Sequence, residues 1–127
     1  AYTEFRLNNK DGYKFKKSYP YPTGENTLGL NCLNDCNFNY PSKYSKFLLR
    51  GYGHVSTFST KKGINGLYDM GGNVWEWVDI NDNSYKGTKG GSWWYGKNQM
   101  NQGYNATKPK NMSAVYIGFR CVKDFKN

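Results

Sequence analysis

Residues 66–78 read Gly-Leu-Tyr-Asp-Met-Gly-Gly-Asn-Val-Trp-Glu-Trp-Val, and this stretch restricts the fold more than any other in the chain. The alternation after the glycines predicts a strand from Val74 to Asp79, with Trp75 and Trp77 on one face and Val74, Glu76 and Val78 on the other. Two tryptophans on one face predict a core. The paired glycines predict a tight backbone turn immediately before the strand. Residues 90–94 (Gly-Gly-Ser-Trp-Trp) and 117–121 (Ile-Gly-Phe-Arg-Cys) keep this segment company. They predict further strands over 91–95 and 115–122, with a turn at 81–83. Residues 96–114 then form a long polar connection, a length that in a compact domain usually serves function or stays disordered.

A chain of 127 residues has room for one domain and one core. Aliphatic residues are scarce, so the 12 Tyr and 4 Trp must supply much of the buried area. Fifteen glycines and many asparagines favour turns and loops over helices. No apolar run approaches the roughly 20 residues that cross a bilayer, so membrane insertion is not expected. The net charge of +9, from 18 Lys+Arg against 9 Asp+Glu, favours acidic partners or simply confers solubility. The lysines are dispersed, and no zinc-finger, basic-zipper or RNA-recognition pattern accompanies them, which argues against nucleic acid.

The three cysteines are Cys32, Cys36 and Cys121. An odd number rules out a fully paired framework. One disulfide, with Cys121 a candidate member, and three buried thiols are both compatible with the spacing. The Cys32/Cys36 pair also resembles half of a zinc site, for which His54 is the one histidine available.

The order and spacing of these motifs resemble the formylglycine-generating enzyme, or sulfatase-modifying factor, family, a branch of the C-type lectin-like fold. Residues 2–5 (Tyr-Thr-Glu-Phe), 19–22 (Tyr-Pro-Tyr-Pro) and 36–39 (Cys-Asn-Phe-Asn) are similar to further family segments. The resemblance implies an α+β, loop-rich C-type lectin-like domain with a small twisted antiparallel sheet. The family's N-terminal strands have no counterpart, so residues 1–127 are expected to be a single minimal domain, a C-terminal core, or a piece of a longer protein.

The resemblance also implies calcium at positions matching Asp69, Gly72, Val74 and Glu76. Calcium takes six to eight oxygen ligands, main-chain carbonyls included. A carboxylate on an otherwise apolar strand face needs a partner. A cation would serve, and so would a hydrogen-bond network with backbone amides or an arginine such as Arg120. A second family site would begin at Asn37 and Phe38, whose further ligands have no match.

The family's oxidase members use two cysteines between the Gly-Gly-Ser-Trp and Gly-Phe-Arg segments to bind copper. Here that interval, residues 94–116, holds neither cysteine nor histidine. Met100 and Met112 offer soft donors but no thiolate. A three-histidine iron site, found in other branches, cannot be built from one histidine. Catalysis is therefore not expected.

What remains is a frame that displays a loop. Trp94, Tyr95, Lys97, Asn98, Gln99, Met100, Gln102, Tyr104 and Asn105 mix rigid aromatic anchors with adaptable amides, as binding surfaces do. Related frames carry the retroelement-diversified ligand-binding proteins of phages and bacteria. A glycan or protein ligand, and a virion or cell-surface setting with other surface proteins as neighbours, follow as expectations. A purely structural virion assembly protein and a degenerate oxidase are the alternatives. Two Asn-X-Ser/Thr sequences, at Asn105 and Asn111, would be glycosylated only in a secreted eukaryotic protein.

Overall fold

A computed structural model of the protein describes residues 18–37 and 50–124. The motif segments at 2–5 and 38–39 lie outside the described residues. Four short strands form one sheet: β1 (Trp75–Val78), β2 (Tyr85–Lys89), β3 (Ala106–Pro109) and β4 (Ile117–Gly118), in the order β3-β2-β1-β4. β1 and β2 are antiparallel, as are β2 and β3, but β4 runs parallel to β1. The sheet is thus mixed, where an antiparallel one was expected. The chain must cross from β3 back to the far edge, and it arrives there travelling in the direction of β1.

The strand predicted over 74–79 is present as β1. Trp75 is 1% exposed and Trp77 is half-buried, so only the first of the two tryptophans belongs to the deep core. The strand expected over 91–95 is instead a turn. Gly90 and Gly91 both take left-handed φ angles, of 92° and 72°, which break an extended run. The strand expected over 115–122 shrinks to β4. The polar connection at 96–114 contains a 3-10 helix, Lys97–Met100, and β3. β2, with the sequence Tyr-Lys-Gly-Thr-Lys, carries little apolar signal and is a strand because β1 and β3 flank it.

Met100 anchors the 3-10 helix. Its side chain is fully buried in a cluster with Leu30, Cys32 and Cys36, against which Tyr21 packs. Cys32 and Cys36 are joined in a disulfide with a Cα–Cα distance of 5.4 Å. Cys121 is free and exposed, so it is neither a disulfide partner nor a buried thiol. The thiols of Cys32 and Cys36 are consumed by the disulfide, which leaves no thiolate pair for zinc.

Asn73 ties the layers together. Its backbone, at φ 59°, donates to the Asn31 carbonyl at 2.8 Å and accepts from the Trp93 N–H at 2.9 Å. Its side chain accepts from Val55 N–H at 2.9 Å and from Asn31 Nδ2 at 3.3 Å, and donates to the Val55 carbonyl at 3.2 Å. Every polar group of this buried residue is thereby partnered, as burial demands. The preceding double glycine has a packing cause. A Cβ on Gly72, at φ 73°, would run into the main chain of Asn31, and one on Gly71 would lie 2.9 Å from Pro22 Cγ.

Candidate ligand-binding surface

The acidic motif before β1 comes first. Asp69 is 8% exposed. Its carboxylate accepts from Thr60 Oγ1 at 2.7 Å and from the Phe58 N–H at 3.0 Å. Glu76 accepts from Arg120 Nε at 2.6 Å and from Arg120 Nη2. The same guanidinium donates to the Tyr68 carbonyl at 3.2 Å and to the Asp69 carbonyl at 3.1 Å. A planar, always-charged fork suits this convergence of oxygens. Of the four implied calcium ligands, both carboxylates are thus engaged by protein donors, and Gly72 serves the crossing of residue 31. Arg120 thus donates to oxygens of Glu76 and Asp69, two of the positions that the resemblance assigns to calcium. Among the described residues no group of three or more His, Cys, Asp or Glu is placed to hold a metal.

The second feature is a row of rings. Tyr104 lies 6.1 Å from Trp75, Trp75 lies 5.6 Å from Tyr95, Tyr95 lies 5.8 Å from Tyr116, and Tyr116 lies 5.7 Å from Trp94 (centroid distances). Trp94 in turn meets the buried Trp93 edge-on at 5.0 Å. The two buried tryptophans are 1% exposed, and the outer rings are partly open, Tyr104 at 40%. Such edge-on and tilted pairs stabilise beyond the area they bury and fix ring orientation.

The fold positions this row from both ends. Trp75 is held by β1, its main-chain N–H donating to the Tyr116 carbonyl at 2.8 Å. Lys89, at the end of β2, donates to the Tyr104 and Gln102 carbonyls at 2.9 and 3.2 Å. The turn at Trp94 and Tyr95 is held by the disulfide loop: Leu33 N–H donates to the Tyr95 carbonyl at 3.0 Å, and Lys97 N–H donates to Asp35 Oδ2 at 3.0 Å. Burial pushes the Tyr95 hydroxyl above the usual tyrosine range, and neighbouring Tyr116 adds to the effect.

Two cations sit on the row. Lys108 Nζ lies 5.4 Å from the centre of the Trp75 ring and 5.8 Å from that of Tyr95. Arg50 lies 5.6 Å from the Trp94 centre and donates through Nε to the Trp94 carbonyl at 2.8 Å. Lys108 is there because of register. It stands directly opposite Lys86 across the β2–β3 pair, a like-charge placement that costs stability unless the charges part. Lys86 turns to Asp79, at 2.7 Å, and Lys108 turns to the rings.

The structure assembles the loop residues expected from sequence unevenly. Trp94, Tyr95 and Tyr104 join the row. Lys97, Asn98 and Asn105 are exposed beside it in the chain, and Gln99 and Gln102 are half-buried. Met100 is not part of the surface, because the 3-10 helix turns it inward. Sequence reasoning missed Tyr116, Lys108 and Arg50 as site residues, and it read Trp75 as scaffold only. The lysine pair across β2 and β3 becomes visible only once the register is known. A polar depression of about 310 Å³ at the β1–β2 turn lies apart from this surface. Its Asp79 and Lys86 satisfy each other, and Asp82 accepts from Ser84 and Tyr85 N–H groups.

The profile of the sulfatase-modifying factor enzyme 1-like domain matches residues 6–125, nearly the whole chain. The protein belongs to the sulfatase-modifying factor family. A comparison with curated proteins finds no match. In this sulfatase-modifying-factor domain, residues 66–78 and 90–94 are the crossing around Asn73, and residues 117–121 supply both β4 and the arginine that closes on Glu76.

Proposed function

We propose that this domain is a non-catalytic recognition module of C-type lectin-like architecture, and that it binds a glycan or protein ligand through the surface of residues 94–116. The observation that carries the reading is the row of partly open rings, Trp94, Tyr95, Tyr104 and Tyr116, braced on buried Trp75 and Trp93. Rigid aromatic groups lose little conformational freedom on binding and offer flat faces for stacking. Exposed Asn98 and Asn105 add amides that can read hydroxyls. The absence of cysteine and histidine from residues 94–116 supports a binding role over the family's oxidase chemistry. A virion or cell surface is the setting in which such a module would work.

The test is a glycan and protein array probed with wild type, Trp94→Ala and Tyr104→Ala. A ligand whose affinity falls at least tenfold in both variants supports the reading. A ligand that binds all three proteins equally overturns it. Stoichiometric copper or iron together with oxygen consumption would favour a degenerate oxidase instead.

One observation favours a purely structural role. Val115, Phe119 and Val122 are 61%, 76% and 87% exposed along the C-terminal segment, as an assembly contact would be. Self-association that Phe119→Ser abolishes, with no ligand found, would decide for that role.

A further inference from the structure

We infer that the ligand of this surface is an acidic glycan, one bearing carboxylates on its sugar rings, and that Lys108 is the residue that selects for the acid. The inference rests on the recognition reading above and names its ligand class.

Three observations converge. Residues 94–116 contain Lys97, Lys108 and Lys110 and no Asp or Glu, so the segment itself carries one sign of charge, and the Asp35 carboxylate that reaches its Lys97 end is engaged by the Lys97 main-chain N–H. A one-sign surface raises the local concentration of oppositely charged ligands. Lys108 has no carboxylate partner among the described residues, whereas Lys86 opposite it is matched by Asp79. Its ammonium is held in place by two ring faces, and an ammonium so held keeps its donors for an anion while its position is already fixed. Finally, the row on which it sits presents rings at both of its flanks: Tyr104 at 40% exposure beyond Trp75, and Tyr116 beyond Tyr95.

A sugar ring has an apolar face that stacks on an aromatic ring and an equatorial rim of hydroxyls. A uronic acid adds a carboxylate at that rim. Stacking on Tyr104 or Tyr95 would bring such a carboxylate beside Lys108, forming a charge-assisted hydrogen bond that a neutral sugar cannot make. Arg50 at the far end of the row, with its Nε committed to the Trp94 carbonyl, offers a second cationic group for a neighbouring residue of the same oligosaccharide. An acidic peptide would satisfy the charge but would leave the rings without a flat partner.

The experiment uses an oligogalacturonate and the same oligosaccharide with its carboxyls reduced to alcohols. Calorimetric affinities are measured for wild type, Lys108→Gln, Lys108→Arg and Lys61→Gln, with a melting curve for each. Lys61 is exposed and has no contact with the ring row. The expected result is a preference of about tenfold or more for the acidic form, weakening with added salt, lost in Lys108→Gln, and kept in Lys108→Arg and Lys61→Gln. Equal affinity for the two sugars overturns the inference while leaving the ring surface as a glycan site. Equal losses in Lys61→Gln and Lys108→Gln, or polyglutamate binding as tightly as the oligogalacturonate, also overturn it, since net charge alone would then suffice. Binding to neither sugar overturns it too, and the array with Trp94→Ala and Tyr104→Ala then decides the underlying recognition reading separately.

Discussion

The main-chain N–H of Leu33 donates to the carbonyl of Tyr95 at 3.0 Å. Through this bond the loop closed by the Cys32–Cys36 disulfide braces the aromatic turn. The other side of that turn is pinned by Met100, which packs on the same two cysteines. Surface and disulfide are therefore one mechanical unit.

Reduction should weaken both. A disulfide closing so short a loop contributes about 2 kcal/mol through the entropy of the unfolded chain. The Cys32→Ser/Cys36→Ser variant, or wild type in excess reductant, should lose about that much in denaturant unfolding. Any ligand of the ring row should lose affinity in parallel. Unchanged stability on reduction would mean that the pair is not bonded in solution.

Arg120 should behave as the internal cation of the Asp69–Glu76 motif. Removing it leaves the Glu76 carboxylate and the Tyr68 and Asp69 carbonyls without their donor. The pair is only partly covered, with side-chain exposures of 34% and 18%, so solvent screening reduces the effect. Arg120→Ala and Glu76→Gln should each cost about 1–2 kcal/mol. A calcium chelator should leave the wild-type melting temperature where it is. If chelator lowers it, and Glu76→Gln removes that sensitivity, calcium and not Arg120 holds the motif.

Gly72→Ala should be far more damaging than its small size suggests. The residue sits at φ 73°, and an added Cβ would meet the Asn31 main chain. Backbone strain and overpacking together are worth on the order of 3 kcal/mol. A variant with near-normal melting would show that the crossing of residues 31 and 72 is wrong.

Alkaline pH should destabilise the fold through Tyr95. Its hydroxyl holds its proton to higher pH in the folded state because it is partly buried beside Tyr116. The unfolded chain releases that proton near pH 10. This contribution is therefore complete below about pH 10 and is lost as pH rises through the raised, folded value. Melting temperature should fall across that window, and Tyr95→Phe should flatten the fall. Parallel curves for the two proteins would remove Tyr95 as the cause.

The period-2 pattern of residues 74–79 was enough to place β1 and to bury Trp75, because alternation and side-chain area act locally. The motif set around it was enough to reach the family, and the long interval at 94–116 marked the region where aromatic and amide groups collect. Sequence could also pair Glu76 with Arg120 as one of two options, since a carboxylate on an apolar face must find a partner. What it could not supply was any relation set by distant segments meeting. The strand at Tyr85–Lys89 has little intrinsic preference and exists through its neighbours. The parallel placement of Ile117–Gly118 depends on a crossover. The inward turn of Met100 depends on a core built from residues 30–36. Lys108 reaches the faces of Trp75 and Tyr95 because register sets it against Lys86, and register is a long-range property of paired strands, absent from either strand alone.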